Sequence, residues 1–191
     1  MELAGAIPRV QDFLAGSALV HPDRTDLVCG TARFSYAELE RVSDALAHSL
    51  RTLGVRRGDR VMVFAENGPE VAIAFWGILK ADAVVTIVNP STKQAKLHWL
   101  LDDCRATVLI AQSSLSRTWS PAAAASSHLK AVVITGGPLP ESGDRLPTIA
   151  AWDDAIRGDG RQGPPAARNL DIDLAAIVYT SGSTGDRKSV V

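Results

Sequence analysis

Four short, mostly apolar runs constrain the fold most: Val61-Met-Val-Phe64, Val84–Val88, Thr107–Ala111 and Ala131–Thr135. Each is continuous rather than alternating, as in strands buried on both faces. Helical patterns lie between them. Strands covered on both sides and separated by helices predict an α/β fold with a mainly parallel sheet flanked by helices.

The helical patterns carry their own start and stop signals. Ser35-Tyr-Ala-Glu38 has the form of a capping box: the serine hydroxyl accepts from a free N–H of the first turn, and Glu38 reaches back. Leu39, Val42, Leu46, Leu50 and Leu53 then follow at steps of three or four, which makes one apolar stripe. Gly54 is the expected stop, because glycine accepts the left-handed backbone of a helix end. Asn67–Gly68 predicts a turn, and Pro69 suits the first turn of a helix carrying Val71, Ile73, Phe75, Trp76, Ile78 and Leu79. Thr92–Asp103 predicts another helix with Leu97, Leu100 and Leu101 inward, and Leu115–Ser127 a weaker one.

Ile149–Ile156 predicts a short helix, Asp26–Gly30 with Ala32–Ser35 a hairpin, and 158–165 a loop. Leu174–Thr180 predicts a final strand. No internal repeat at solenoid spacing is present. The expected organisation is an N-terminal α/β subdomain over residues 1–170, then a strand and loop over 171–191 that begin a further unit.

Composition narrows the function by exclusion. The hydrophobic share of 46% is that of a globular chain. A formal net charge of -1 gives no electrostatic reason to expect nucleic acid or an anionic membrane as partner. The N-terminus lacks the pattern of a secretory signal, and no apolar run approaches the roughly 20 residues of a spanning helix. Cys29 and Cys104 fit no metal-ligand spacing. Two reduced thiols and a cytoplasmic setting are expected, with a disulfide between them as the other arrangement.

The segment Tyr179-Thr-Ser-Gly-Ser-Thr-Gly-Asp-Arg-Lys-Ser-Val-Val191 carries the chemistry. Gly182 and Gly185 let the backbone turn tightly and approach an anion. Thr180, Ser181, Ser183 and Thr184 offer hydroxyl donors, the loop amides can converge on phosphate oxygens, and Lys188 supplies a mobile positive charge. A triphosphate bound with magnesium needs all of these. A serine- and glycine-rich linker is the plain alternative for Ser181–Gly185 alone, but the loop follows an apolar strand ending in Tyr179 and finishes on a lysine.

This segment resembles the phosphate-binding signature of the adenylate-forming (AMP-binding) superfamily, which includes acyl-CoA synthetases, peptide-synthetase adenylation domains and luciferases. Their usual form is Tyr-Thr-Ser-Gly-Ser-Thr-Gly-x-Pro-Lys-Gly-Val. The chain agrees from Tyr179 through Gly185 and at Lys188 and Val190, with Arg187 in place of proline and Ser189 in place of glycine. Further stretches are similar in the same order: His21–Gly30, Phe34–Leu39, Leu53–Val61 and Leu79–Pro90. In the last of these Asp82 stands where the family usually has glycine and Ile87 where it has proline, and Asn89–Pro90 is nearer to acyl-CoA ligases than to peptide synthetases.

The resemblance implies the incomplete N-terminal domain of an AMP-forming ligase, covering roughly the first third of such an enzyme. In these enzymes a carboxylate attacks the α-phosphate of ATP, pyrophosphate leaves, and the acyl-adenylate passes its acyl group to a thiol. It implies ATP with Mg2+ as cofactor, and a carboxylate substrate with coenzyme A or a carrier protein as partners. Thr180, Ser181, Gly182, Ser183, Thr184, Gly185 and Lys188 would hold the β- and γ-phosphates, stabilising charge on the leaving pyrophosphate. The adenine, ribose and late catalytic-lysine motifs would lie downstream. A truncated acyl-CoA ligase of fatty-acid or other carboxylate metabolism, inactive as an isolated chain, is therefore expected, with self-association through an exposed sheet edge.

Two other readings stay open on the sequence. One is a P-loop-like nucleotide binder, since Gly182–Ser189 comes within one residue of Gly-x-x-x-x-Gly-Lys-Ser. The other is a non-catalytic remnant or interaction module. His21, His48, His98 and His128 have no metal spacing, and adjacent Asp102–Asp103 and Asp153–Asp154 read as solvated helix positions rather than acid–base pairs. The four tryptophans read as packing residues.

Overall fold

A computed structural model describes residues 8–139, 146–158 and 163–180. The elements follow in chain order: α1 (Val10–Val20), the hairpin strands β1 (Thr25–Cys29) and β2 (Ala32–Ser35), α2 (Tyr36–Thr52), β3 (Arg60–Phe64), α3 (Pro69–Lys80), β4 (Val84–Ile87), α4 (Gln94–Asp103), β5 (Ala106–Gln112), α5 (Ser116–Ala125), β6 (Ala131–Thr135), β7 (Thr148–Ala151) and the single turn α6 (Trp152–Ala155). The main sheet has five strands in the order β4-β3-β5-β6-β7, all parallel.

The strands alternate between two apolar faces. Val61 and Val63 of β3, Val108 and Ile110 of β5 and Val133 of β6 join a core with Leu39, Leu46 and Leu50 of α2 and Ile73 and Ile78 of α3. Met62 and Phe64, Leu109, Val132 and Ile134 point the other way, onto Leu97, Leu100 and Leu101 of α4 and Trp119 of α5. Two apolar faces per strand are what the continuous runs require. Trp119 is fully buried and still satisfies its indole, donating to the Gln112 carbonyl at 2.9 Å.

The capping box forms: Glu38 N–H donates to Ser35 Oγ at 3.2 Å, and Ser35 N–H donates to the Glu38 carboxylate at 2.8 Å. Gly54 follows the end of α2 with φ +89°, the left-handed region open to glycine. Cys29 and Cys104 are free thiols, the latter buried.

Two expectations change, and one helix is unforeseen. Ile149–Ile156 is not one helix: Thr148–Ala151 pairs with Ala131–Ile134 of β6, and only Trp152–Ala155 turns helically. The open edge of β6 recruits the Thr148–Ala151 run, so a ladder outweighs the local helical pattern. Leu174–Thr180 is extended beside β4 but reduces to one parallel bridge, Ala176 to Val85. Helix α1 has no forecast in the sequence. It buries only Gln11 and Leu14, too little for an apolar stripe, and is held at its start by Arg9 N–H donating to Asp12 at 2.9 Å.

Candidate nucleotide-phosphate site

Residues 163–180 run as a strap along the β4 edge, and each fastening uses a residue from an earlier element. Asp82, just past α3, is 4% exposed, and its carboxylate accepts from the backbone N–H groups of Arg168 at 3.0 Å and Asn169 at 3.3 Å. Arg51 of α2 neutralises it at 2.5 Å. The Asn169 side chain accepts from Arg9 at 3.1 Å and from Gln11 at 3.2 Å. Arg57 grips the Asp173 carboxylate with two nitrogens at 2.8 and 2.9 Å; this paired guanidinium holds the Asp173 carboxyl below its ordinary range.

Beyond Asp173 the strap joins the sheet. Val85 N–H donates to the Ala175 carbonyl and Ile177 N–H to the Val85 carbonyl, both at 3.0 Å. Because this bridge is parallel, the strap runs toward the carboxyl ends of the strands, where open α/β sheets place ligands. Leu174 and Val178 stay 70% and 78% exposed, the apolar edge expected for a strand without an outer neighbour among the described residues.

Tyr179 ends this path. Its hydroxyl donates to Asp103 Oδ2 at 2.6 Å, and its ring meets that of Trp99 edge to face at 6.1 Å. Lys96 lies 3.9 Å over the Trp99 ring. Burial, followed by the bond to anionic Asp103, pushes the Tyr179 phenol well above its ordinary value, so it stays a donor.

Of the site residues predicted from the sequence, the structure describes Thr180, which is exposed and follows Tyr179. Ser181, Gly182, Ser183, Thr184, Gly185 and Lys188 lie outside the described residues. A cavity of about 110 Å³ sits at the carboxyl ends of β3, β5 and β6, lined by Glu66, Asn67, Gly68, Gln112, Thr135 and Gly136 among others. β4 and β5 flank β3 on opposite sides, so this is the topological switch point of the sheet. A larger cavity, about 580 Å³, opens at the amino ends instead, and its Arg57, Asp82, Asp173 and Gln11 are already paired within the protein. No group of three or more His, Cys, Asp or Glu among the described residues could hold a metal ion. No described helix is long and apolar enough to cross a membrane.

From the sequence, Asp103 reads only as a solvated helix position and Trp99 only as a packing residue; their shared partner Tyr179 is 76 residues from Asp103 along the chain. Asp103 is exposed, as a solvated helix position would be, whereas Asp102 is half-buried and accepts from Ser126 Oγ at 2.8 Å. His48 is tied to the Gly163 carbonyl at 3.0 Å.

A five-stranded parallel sheet flanked by helices places the chain in the α/β class, with the edge strap leading into the Tyr-Thr-Ser-Gly-Ser-Thr-Gly sequence. The chain belongs to the AMP-binding enzyme family, whose model matches residues 14–191. Tyrocidine synthase 3 of Brevibacillus parabrevis is 28% identical over 193 residues, covering 100% of this chain and 3% of that protein. The medium/long-chain-fatty-acid–CoA/3-oxocholest-4-en-26-oate–CoA ligase of Mycobacterium marinum is 28% identical over 171 residues, covering 89% of this chain and 31% of the ligase. Among solved structures, the anthranilate CoA ligase AuaEII in complex with anthranoyl-AMP superposes with a TM-score of 0.83 at 24% identity, over 97% of this chain and 35% of that one. Coronafacic acid ligase from Pectobacterium brasiliense (R395G form) has the same fold with a TM-score of 0.80 at 15% identity, over 91% of this chain and 33% of that one. The chain thus spans about a third of the length of these ligases.

Proposed function

We propose that this chain is the phosphate-binding front part of an AMP-forming acyl-CoA ligase, working in the cytoplasm. The observation that carries the reading is the strap: a parallel segment on the β4 edge that delivers Tyr179 and Thr180 directly before Ser181–Lys188. The donor set of that stretch suits a polyphosphate, with hydroxyls on Thr180, Ser181, Ser183 and Thr184, glycines at 182 and 185 whose lack of a side chain permits close approach of an anion, and the Lys188 ammonium. It contains no Cys or His and a single carboxylate, Asp186, so magnesium would arrive with the triphosphate.

ATP supplies the electrophilic α-phosphorus that a carboxylate substrate attacks. The residues of this chain bind and neutralise the departing pyrophosphate, an electrostatic role. The thiol acceptor is coenzyme A, which the name of the Mycobacterium marinum CoA ligase supports, with a carrier protein as the other acceptor. Covering about a third of those ligases, the 191-residue chain binds nucleotide without forming acyl-adenylate.

Calorimetric titration of the chain with Mg-ATP tests the reading. Wild type binds, and Lys188→Ala binds about 10- to 100-fold more weakly, the cost of one charge-assisted hydrogen bond. No binding by wild type, or none lost in Lys188→Ala, leaves a non-catalytic scaffold. Pyrophosphate exchange with ATP and a fatty acid would overturn the inactivity of the isolated chain.

A further inference from the structure

We infer that Asp103, acting through Tyr179, is a positioning residue for the phosphate-binding loop, with the Trp99 ring as the surface against which Tyr179 is set. The inference rests on the phosphate-binding reading of residues 180–188. Three observations join in it. Backbone pairing of the strap with β4 runs through Ala175 and Ile177, whereas Tyr179 is held through its side chain. The Tyr179 hydroxyl meets Asp103 at 2.6 Å, a distance typical of an O–H donor on a charged acceptor. The ring is fixed in a second direction by Trp99, at 6.1 Å and 75°, and Trp99 in turn carries Lys96 at 3.9 Å.

The consequence is mechanical. Tyr179 is the residue from which the loop departs, and α4 belongs to the packed core through Leu97, Leu100 and Leu101. A side-chain bond from the last turn of that helix fixes the loop's first anchor before any anion arrives. An anion-binding loop whose root is already ordered loses less conformational freedom on binding. Asp103 touches no substrate in this scheme; it acts only by orienting Tyr179.

The test uses the 191-residue chain, magnesium tripolyphosphate as probe, and calorimetry. Tyr179→Phe and Asp103→Ala each weaken binding about 3- to 10-fold. The double variant is no weaker than either single one, because both remove the same bond. Asp103→Asn, which keeps an acceptor in place, recovers most of the affinity, and the ligand-free melting midpoints of Tyr179→Phe and Asp103→Asn stay at the wild-type value. If Asp103→Ala does not fold, Tyr179→Phe decides, since it removes a single oxygen.

Unchanged binding in Tyr179→Phe beside lost binding in Lys188→Ala overturns the positioning role and leaves the phosphate site standing. Weakened binding that merely tracks a lowered melting midpoint, without recovery in Asp103→Asn, overturns it as well. Absence of binding by wild type, or an unaffected Lys188→Ala, removes the phosphate reading and this inference with it.

Discussion

The Lys80 ammonium lies 2.7 Å from the Asp44 carboxylate and 2.6 Å from that of Glu40, joining α3 to α2 in the protein interior. Ser43 Oγ at 2.8 Å and the Glu40 carbonyl at 3.1 Å complete its shell. Removing the cation alone leaves buried Asp44 and half-buried Glu40 without a counter-charge, a change that costs about 3–5 kcal/mol. Lys80→Met is therefore strongly destabilised in urea unfolding. The triple variant with Glu40→Gln and Asp44→Asn recovers part of the loss, since no unpaired charge remains.

The same cluster gives a pH signature opposite to that of a simple surface ion pair. Burial pushes both Glu40 and Asp44 above their ordinary values of 4.5 and 3.8, against the pull of the single Lys80. His48 also pulls Asp44 down, while Asp44 and Asp12 push Glu40 further up. A carboxyl whose folded value is raised binds its proton more tightly in the folded state. Its contribution is complete below the ordinary value and is lost as pH rises through the raised one. Relative to Asp44→Asn, the wild type thus loses stability as pH climbs from about 4 toward neutrality, read from urea midpoints across that range. A difference that is flat or of the opposite slope sinks the assignment.

Gly77 of α3 lies directly against Leu46 of α2. A Cβ added there would lie 2.8 Å from Leu46 Cδ2 and 2.9 Å from its Cγ. Leu46 is fully buried and cannot swing aside. Alanine normally favours a helix over glycine by about 1 kcal/mol, yet overpacking of a filled core costs about 1–3 kcal/mol. Gly77→Ala is expected to be net destabilised, and Leu46→Ala in the same chain to relieve much of the clash. A double-mutant cycle of denaturant midpoints checks this, additivity being the adverse result.

The main sheet was legible because four runs were apolar on both faces, and Val61–Phe64 and Ala131–Thr135 became strands where expected. The α2 boundaries were legible from Ser35, Glu38 and Gly54, since caps are local chemistry. β7 was not, because Thr148–Ala151 becomes a strand only by meeting β6. The same limit applies at the candidate site. Ser181–Lys188 could be named from residue types, whereas the Asp103–Tyr179 bond and the Arg57–Asp173 pair join residues 76 and 116 positions apart, which no local pattern encodes.

Asp82 carries the last prediction, because two opposing effects meet in one residue. It stands where the family segment that Leu79–Pro90 resembles has glycine, and its backbone keeps a glycine-like φ of +63°. Left-handed backbone costs a side chain roughly 1–2 kcal/mol, somewhat less for aspartate. Against that, its carboxylate binds Arg51 and accepts from the Arg168 and Asn169 N–H groups, anchoring the strap. Losing a buried, paired charge leaves the Arg51 guanidinium and two amides short of partners, at about 1–3 kcal/mol for each unsatisfied group. The anchoring outweighs the strain, so Asp82→Gly is destabilised despite its easier backbone. Asp82→Ala is worse than Asp82→Gly, for it loses the anchors and keeps the strain. Asp82→Asn, which tolerates the same conformation and retains acceptor capacity, is the mildest of the three. Thermal midpoints give the order, and limited proteolysis within 166–170 reports release of the strap. A glycine variant more stable than wild type, with the strap still protected, would refute the anchoring role.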